Sequence, residues 1–233
     1  MRTESEAAPS ARRRATRERL LDAAAEVFAG EGLQGASVEA ICARAGFTRG
    51  AFYSNFESKE GLFVELLQRE FERRARDLEE KALELEPLLR GRAPRIDPPE
   101  AARYVAEFFA PASEATGWFV LETEFLLLAM RDPTIAPDHH QFMERFYDDI
   151  AGVVERVIAA AGRRFVLPVA HAVPVLGEVY QRALRISALA GADAPGGLDE
   201  LGDRIAELLF VITETAGPGG SPEPAGSPGP FGD

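Results

Sequence analysis

Apolar residues recur along this chain at helical spacing in segment after segment, and nowhere do they alternate as in a half-buried strand. The sharpest pattern is Ser37–Phe56, SVEAICARAGFTRGAFYSNF. Val38, Ile41, Cys42 and Ala45 fall at i, i+3, i+4 and i+7, one stripe of a short helix. Ser37 stands where an N-cap belongs and Gly46 where a left-handed residue ends a helix. Thr48 offers a second N-cap, and Phe52 and Phe56, four apart, share a face of the helix it opens. Two short helices around a glycine turn outline a helix-turn-helix. Neither could stand alone, so both must lean on neighbours.

The flanks supply those neighbours. Arg17–Glu31 predicts a helix burying Leu20, Leu21, Ala24, Val27 and Phe28, closed by Gly30 and Gly32. From Lys59 a further apolar face (Leu62, Phe63, Leu66, Leu67, Phe71) runs into the charged stretch RREFERRARDLEEKALELE, a solvated helix face laced with i,i+4 pairs. Pro87–Pro99 reads as a loop. Helices are then expected at Ala101–Ala110, Thr116–Arg131, Pro137–Ala161, Val169–Ala190 and Leu198–Thr215. Thr116–Arg131 is apolar nearly all round and should be central and buried. The fold class is therefore all-α: an N-terminal three-helix unit carrying the helix-turn-helix, and a C-terminal helical bundle. Residues 1–13 read as a disordered basic arm, and residues 217–233, rich in Gly, Pro and Ser, as a disordered tail.

The second helix of the pair has an unusual outer face. Thr48, Arg49, Gly50, Ala51, Tyr53 and Asn55 are small, cationic or hydrogen-bonding. Small residues allow close approach to another surface. Arg49 suits a guanine edge or a phosphate. Tyr53 and Asn55 suit phosphate oxygens, and Lys59 stands near the start of the next helix, where a phosphate is favoured. Arg12, Arg13, Arg14 and Arg17 could follow a DNA backbone or enter its minor groove, Arg17 foremost.

Charge sharpens this picture. The net charge of −12 argues against a protein that coats nucleic acid indiscriminately. Residues 1–60 balance nine basic against nine acidic residues, so the excess of acid lies entirely beyond them. That distribution fits a chain that touches DNA at one end.

The enzyme signatures are missing from the sequence: there is no P-loop, dinucleotide fingerprint or Cys/His metal spacing. A non-enzymatic protein without cofactor or metal is expected. His139 and His140 are adjacent, about 100° apart on a helix, and cannot clamp one ion together. The lone Cys42 lies on an apolar stripe, as a packed thiol does. It suits a reducing compartment, and neither a signal peptide nor a run of about 18 apolar residues is seen, so the expectation is cytoplasmic with no membrane partner. Glu122 and Glu124 lie within the most apolar helix. Each is read as buried and paired, lining a pocket for a polar or cationic group, or emerging at a surface.

Arg17 to about Leu67 resembles the DNA-binding domain of the tetracycline-repressor (TetR) family of transcription regulators. The resemblance is carried by LLDAAAEVFAGEG ending at Gly32, by SVEAICARAGFTRGAFYSNF and by SKEGLF at Ser58–Phe63. One departure is Asn55, where many members carry His. The resemblance implies a DNA-binding domain at residues 14–74 and a ligand-binding and dimerisation domain at 75–216. It implies DNA contacts from Arg17, Ser37, Thr48, Arg49, Gly50, Ala51, Tyr53, Asn55 and Lys59. It also implies a homodimer through Val169–Ala190 and Leu198–Thr215, a palindromic double-stranded operator, and a small-molecule effector that releases the repressor from it. Phe108, Trp118, Glu122, Phe125, Met143, Phe146, Tyr147 and Tyr180 are the candidate pocket residues, for an effector expected to be apolar or aromatic.

Overall fold

The computed structural model describes residues 7–93, 96–109, 112–131, 136–191 and 193–216, with the backbone alone for 7–10, 112–114 and 136–140. The described residues are almost wholly helical: α1 (Ala7–Gly35), α2 (Val38–Ala45), α3 (Arg49–Tyr53), α4 (Lys59–Arg92), α5 (Pro98–Phe108), α6 (Ala112–Arg131), α7 (Ala136–Ala160), α8 (Val169–Ala190) and α9 (Leu201–Ile212). A 3-10 turn, Leu198–Glu200, leads into α9.

The head is built by α1, α2, α3 and the first turns of α4 around one apolar cluster. Leu20, Phe28, Ile41, Phe52, Leu62 and Phe63 are all but inaccessible. Phe28 and Phe63 meet edge to face at 4.9 Å. The capping expectations hold. Ser37 Oγ accepts from Ala40 N–H at 3.1 Å and Thr48 Oγ1 from Ala51 N–H at 3.2 Å. Ser58, which the sequence reading did not single out as a cap, does the same for α4, accepting from Gly61 N–H at 2.9 Å. Gly46 takes the left-handed conformation, φ 71°, between α2 and α3.

Several boundaries differ from the sequence reading. Helix α1 already begins at Ala7, so part of the expected basic arm is helical. Alanine and arginine lengthen a helix readily once a packed segment has nucleated it. Helix α4 runs unbroken through residues 74 and 75, where two domains were to divide, and it carries Pro87 internally. Its charged stretch does form the expected pairs: Arg74 with Glu70 at 3.2 Å, and Arg73 with Glu70 and Asp77 at 2.6 and 2.9 Å.

Helix α6 is not buried all round. Leu121, Phe125 and Ala129 are buried, while Val120, Leu126, Leu127 and Met130 are exposed. One face packs within the subunit and the other is left over. The last predicted helix ends at Ile212 and gives way to a strand, β2 (Thr213–Thr215). It pairs antiparallel with β1 (Arg163–Phe165), matching Arg163 to Thr215 and Phe165 to Thr213. Three residues are too few for alternation to register. Residues 217–233 and the side chains of His139 and His140 lie outside the described residues.

The head does not stop at α4. Leu121 and Phe125 of α6 belong to its apolar cluster, and the Phe63 and Phe125 rings lie 6.0 Å apart. The body adds two smaller clusters: Leu85, Leu89, Ile96 and Ala160 beneath Phe108, and Ala183, Leu201 and Ile205 beside Tyr180.

Candidate nucleic-acid interface

Helix α3 is held by its inner side. Phe52 is fully buried, Phe56 nearly so, and their rings lie 5.8 Å apart. Thr48, Arg49, Gly50 and Tyr53 are consequently turned outward and exposed. A Cβ added at Gly50 would meet only Thr48 Oγ1, at an ordinary 3.7 Å. The fold itself therefore has no need of glycine here. What the missing side chain preserves is a low outer surface.

Arg49 reaches back to Glu39 on the first turn of α2, forming an ion pair of 2.7 Å with both side chains about 60% exposed (61% and 59%). Its guanidinium also lies 5.9 Å from the Tyr53 ring centre. The Tyr53 phenol first, and Glu39 second, push the Arg49 pKa further above its ordinary value. Arg49 is thus always cationic, and only a weak, solvent-screened partner stands between it and an incoming anion. The neighbouring Cys42 thiol is buried, and burial pushes its pKa up, which leaves it unreactive.

Three expected contact residues are committed elsewhere. Arg17 donates to the Asn55 carbonyl and to Glu65, and its guanidinium lies 4.4 Å from the Phe56 ring centre. Asn55 Nδ2 donates to the Ala51 carbonyl at 2.8 Å and to Ser54 Oγ at 3.2 Å, while its Oδ1 is buried without a partner. Lys59 Nζ donates to the Leu33 and Ala36 carbonyls at 2.7 and 2.9 Å. All three brace the head. The sequence pattern did not reveal this for Arg17 and Lys59, whose partners come from distant elements; Asn55 bonds back to Ala51, four residues away. Ser37 and Ala51 remain at the outer side, the first exposed and the second half-buried.

Other residues carry more than the pattern suggested. Glu39 holds Arg49, Arg19 donates to the Ala45 carbonyl at the end of α2 at 2.8 Å, and Arg13 to the Ser54 carbonyl at 3.3 Å. The available signal was type alone: an acid in a first turn and arginines in an amphipathic helix.

The predicted pocket residues do not form one group. Phe108 and Tyr180 belong to the two separate body clusters, Tyr180 stacking on Phe109 at 4.9 Å. Phe125 and Trp118 line the junction with the head. Phe146 meets Phe71 edge to face at 4.7 Å, and Met143 is half-buried. Glu122 and Tyr147 come together between α6, α7 and α8. Gln181 Nε2 donates to Glu122 Oε1 at 3.1 Å, and burial raises the Glu122 pKa against the opposing pull of Arg74 and Gln181. Burial, then Glu178 and Glu122, raises that of Tyr147. A cleft of about 290 Å³ lies between α5 and α9, lined by Arg103, Phe109, Asp199, Gly202 and neighbours.

Residues 20–66 match the family model described as "Bacterial regulatory proteins, tetR family". The N-terminal head is thus similar to those of TetR-family regulators. Its match encloses the three segments on which the resemblance was read. The regulator YdgC of Bacillus subtilis is 46% identical over 68 residues, covering 29% of this chain and 34% of its own. The regulator UidR of Escherichia coli is 32% identical over 122 residues, covering 52% and 55%. The chain thus spans about a third to about half the length of these relatives. A crystal structure from Mesorhizobium loti, assigned to the TetR family, superposes with a TM-score of 0.66 over 87% of this chain and 98% of its own, at 17% identity. That likeness extends the family's fold through the helical body.

Proposed function

We propose that this protein is a homodimeric, sequence-specific DNA-binding regulator, acting as a repressor that a small molecule releases from a palindromic operator. The observation that carries the reading is the outer face of α3. Thr48, Arg49, Gly50 and Tyr53 stand clear of the subunit, while Ile41, Cys42, Ala45 and Phe52 are buried behind them. Arg49 and Tyr53 would supply the charged and hydrogen-bonding contacts, with Thr48, Gly50, Ala51 and Ser37 allowing the close approach. Binding exchanges the Glu39 partner of Arg49 for a base edge or a phosphate.

Dimerisation through α8 and the segment Leu198–Thr215 is supported by the apolar surface left there. Val175 and Leu189 on α8, and Val211 on α9, are exposed, the last two by 84% and 75%. A monomer gains nothing from such a surface; a second copy would bury it. Two heads on one dimer would enter successive major grooves about 34–36 Å apart.

The effector is a small, largely apolar molecule received near Glu122 and Tyr147. A basic nitrogen on it would find the Glu122 carboxylate, which already accepts from Gln181 and lies within the field of Arg74. Such a ligand acts only by preferring the conformation that cannot hold DNA.

Selection of bound sequences from random duplex DNA by the full chain tests the reading. An inverted repeat should emerge, with affinity falling steeply as salt rises. Recovery of unrelated sequences at every salt concentration would overturn it.

A further inference from the structure

Helix α1 breaks at Gly32, whose φ of 68° and ψ of 171° no residue with a side chain adopts comfortably. The break leaves the Leu33 N–H without a helical carbonyl to bond. A residue of the body takes it: the Leu33 N–H donates to Glu124 Oε2 of α6. The other carboxylate oxygen lies against Gly32, only 2.7 Å from where a Cβ would stand. Glycine is required here by its φ, and any side chain in its place would displace the carboxylate in front of it.

Leu33 is gripped from its other end as well. Its carbonyl accepts from Lys59 Nζ, at the start of α4, as does that of Ala36. Its side chain is 1% exposed, inside the head cluster. Next to Glu124 on α6, Phe125 enters the same cluster. The α1–α2 turn is therefore fixed to the body by one charge-assisted hydrogen bond and one buried ring. Four residues after Leu33, Ser37 caps α2, which carries Glu39 and packs beside α3.

We propose that Glu124 is a positioning residue for DNA binding: from the body, it sets the angle at which the head presents α3, and hence the separation of the two recognition helices in a dimer. The proposal rests on the DNA-binding reading above. It assigns α6 two tasks two residues apart, since Glu122 faces Gln181 of α8 while Glu124 holds the head.

The test uses the full chain, its selected operator, and two duplexes with the half-site spacing lengthened or shortened by one base pair. The wild-type protein should prefer the native spacing. Glu124→Ala should bring the three affinities together by several-fold, while guanines within each half-site stay protected. Glu124→Gln, whose amide oxygen still accepts from Leu33, should restore most of the preference. A merely structural loss would weaken all three duplexes by one factor, and that result overturns the proposal. Amide hydrogen exchange at Leu33 tests the joint without DNA. Protection should fall in Glu124→Ala and persist in Glu124→Gln, and unchanged protection in the alanine variant overturns the joint itself. A wild-type protein that binds none of the duplexes refutes the DNA-binding reading, and the exchange result still decides whether the joint exists.

Discussion

Replacing Gly50 by alanine should move stability and DNA affinity in opposite directions. The added methyl meets nothing in the free protein closer than Thr48 Oγ1 at 3.7 Å, so it costs no repacking. It lowers the backbone entropy of the unfolded chain and favours the helix, by about 0.4–1 kcal/mol at a compatible site. Gly50 lies in the first turn of a five-residue helix, so the lower end of that range is expected. For a chain of this size about 0.5 kcal/mol raises the melting temperature by about 1–2 °C. On DNA the same methyl stands on the face that approaches the groove. Forcing an extra methyl into a closely fitted contact costs about 1–3 kcal/mol, or about 5- to 150-fold in affinity. Thermal unfolding by circular dichroism and fluorescence anisotropy on a labelled operator give the two numbers. Equal operator affinity for Gly50→Ala and wild type would refute the assignment of this face. A lowered melting temperature would refute the claim that glycine is dispensable to the fold.

Arg49→Ala should weaken operator binding by about 1–3 kcal/mol while gel filtration shows an unchanged dimer, since the free protein loses only exposed contacts with Glu39 and Tyr53. Lys59→Met should instead lower stability, by about 1–3 kcal/mol in urea unfolding, and leave the salt dependence of DNA binding as it was, because its ammonium serves the Leu33 and Ala36 carbonyls. The Glu122 carboxyl has a folded-state pKa above its unfolded value, so the native state holds the extra proton; its contribution is present at low pH and lost as pH rises through the folded value. Glu122→Gln should accordingly flatten the fall in urea midpoint just above the usual carboxylate range and raise the midpoint at neutral pH. Val211→Asp should yield monomers in analytical ultracentrifugation with an intact helical spectrum, because Val211 touches little within its own subunit.

The head was legible from sequence because its signals are local. Ser37, Gly46 and Thr48 cap or end helices within four residues of themselves, and each does so in the structure. Helix α8 was equally readable, its periodicity running the length of Val169–Ala190. What escaped was long-range. Arg17 and Lys59 have the right chemistry for phosphate, and only the fold reveals that Glu65 and Leu33 claim them first. The apolar character of α6 was plain, but a single chain does not bury all of it, and composition does not say which face is left over. The joint at Gly32 left only a glycine in the sequence, because Glu124 lies ninety-two residues further along the chain.

The claim on which the account turns is that the outer side of α3 lies in the major groove. Guanine N7 is exposed there, so methylation protection of the selected operator reads the contact directly. Two clusters of protected guanines about 10–10.5 base pairs apart are predicted, each weakened in Arg49→Ala. Full binding with every guanine N7 still open to methylation would contradict it.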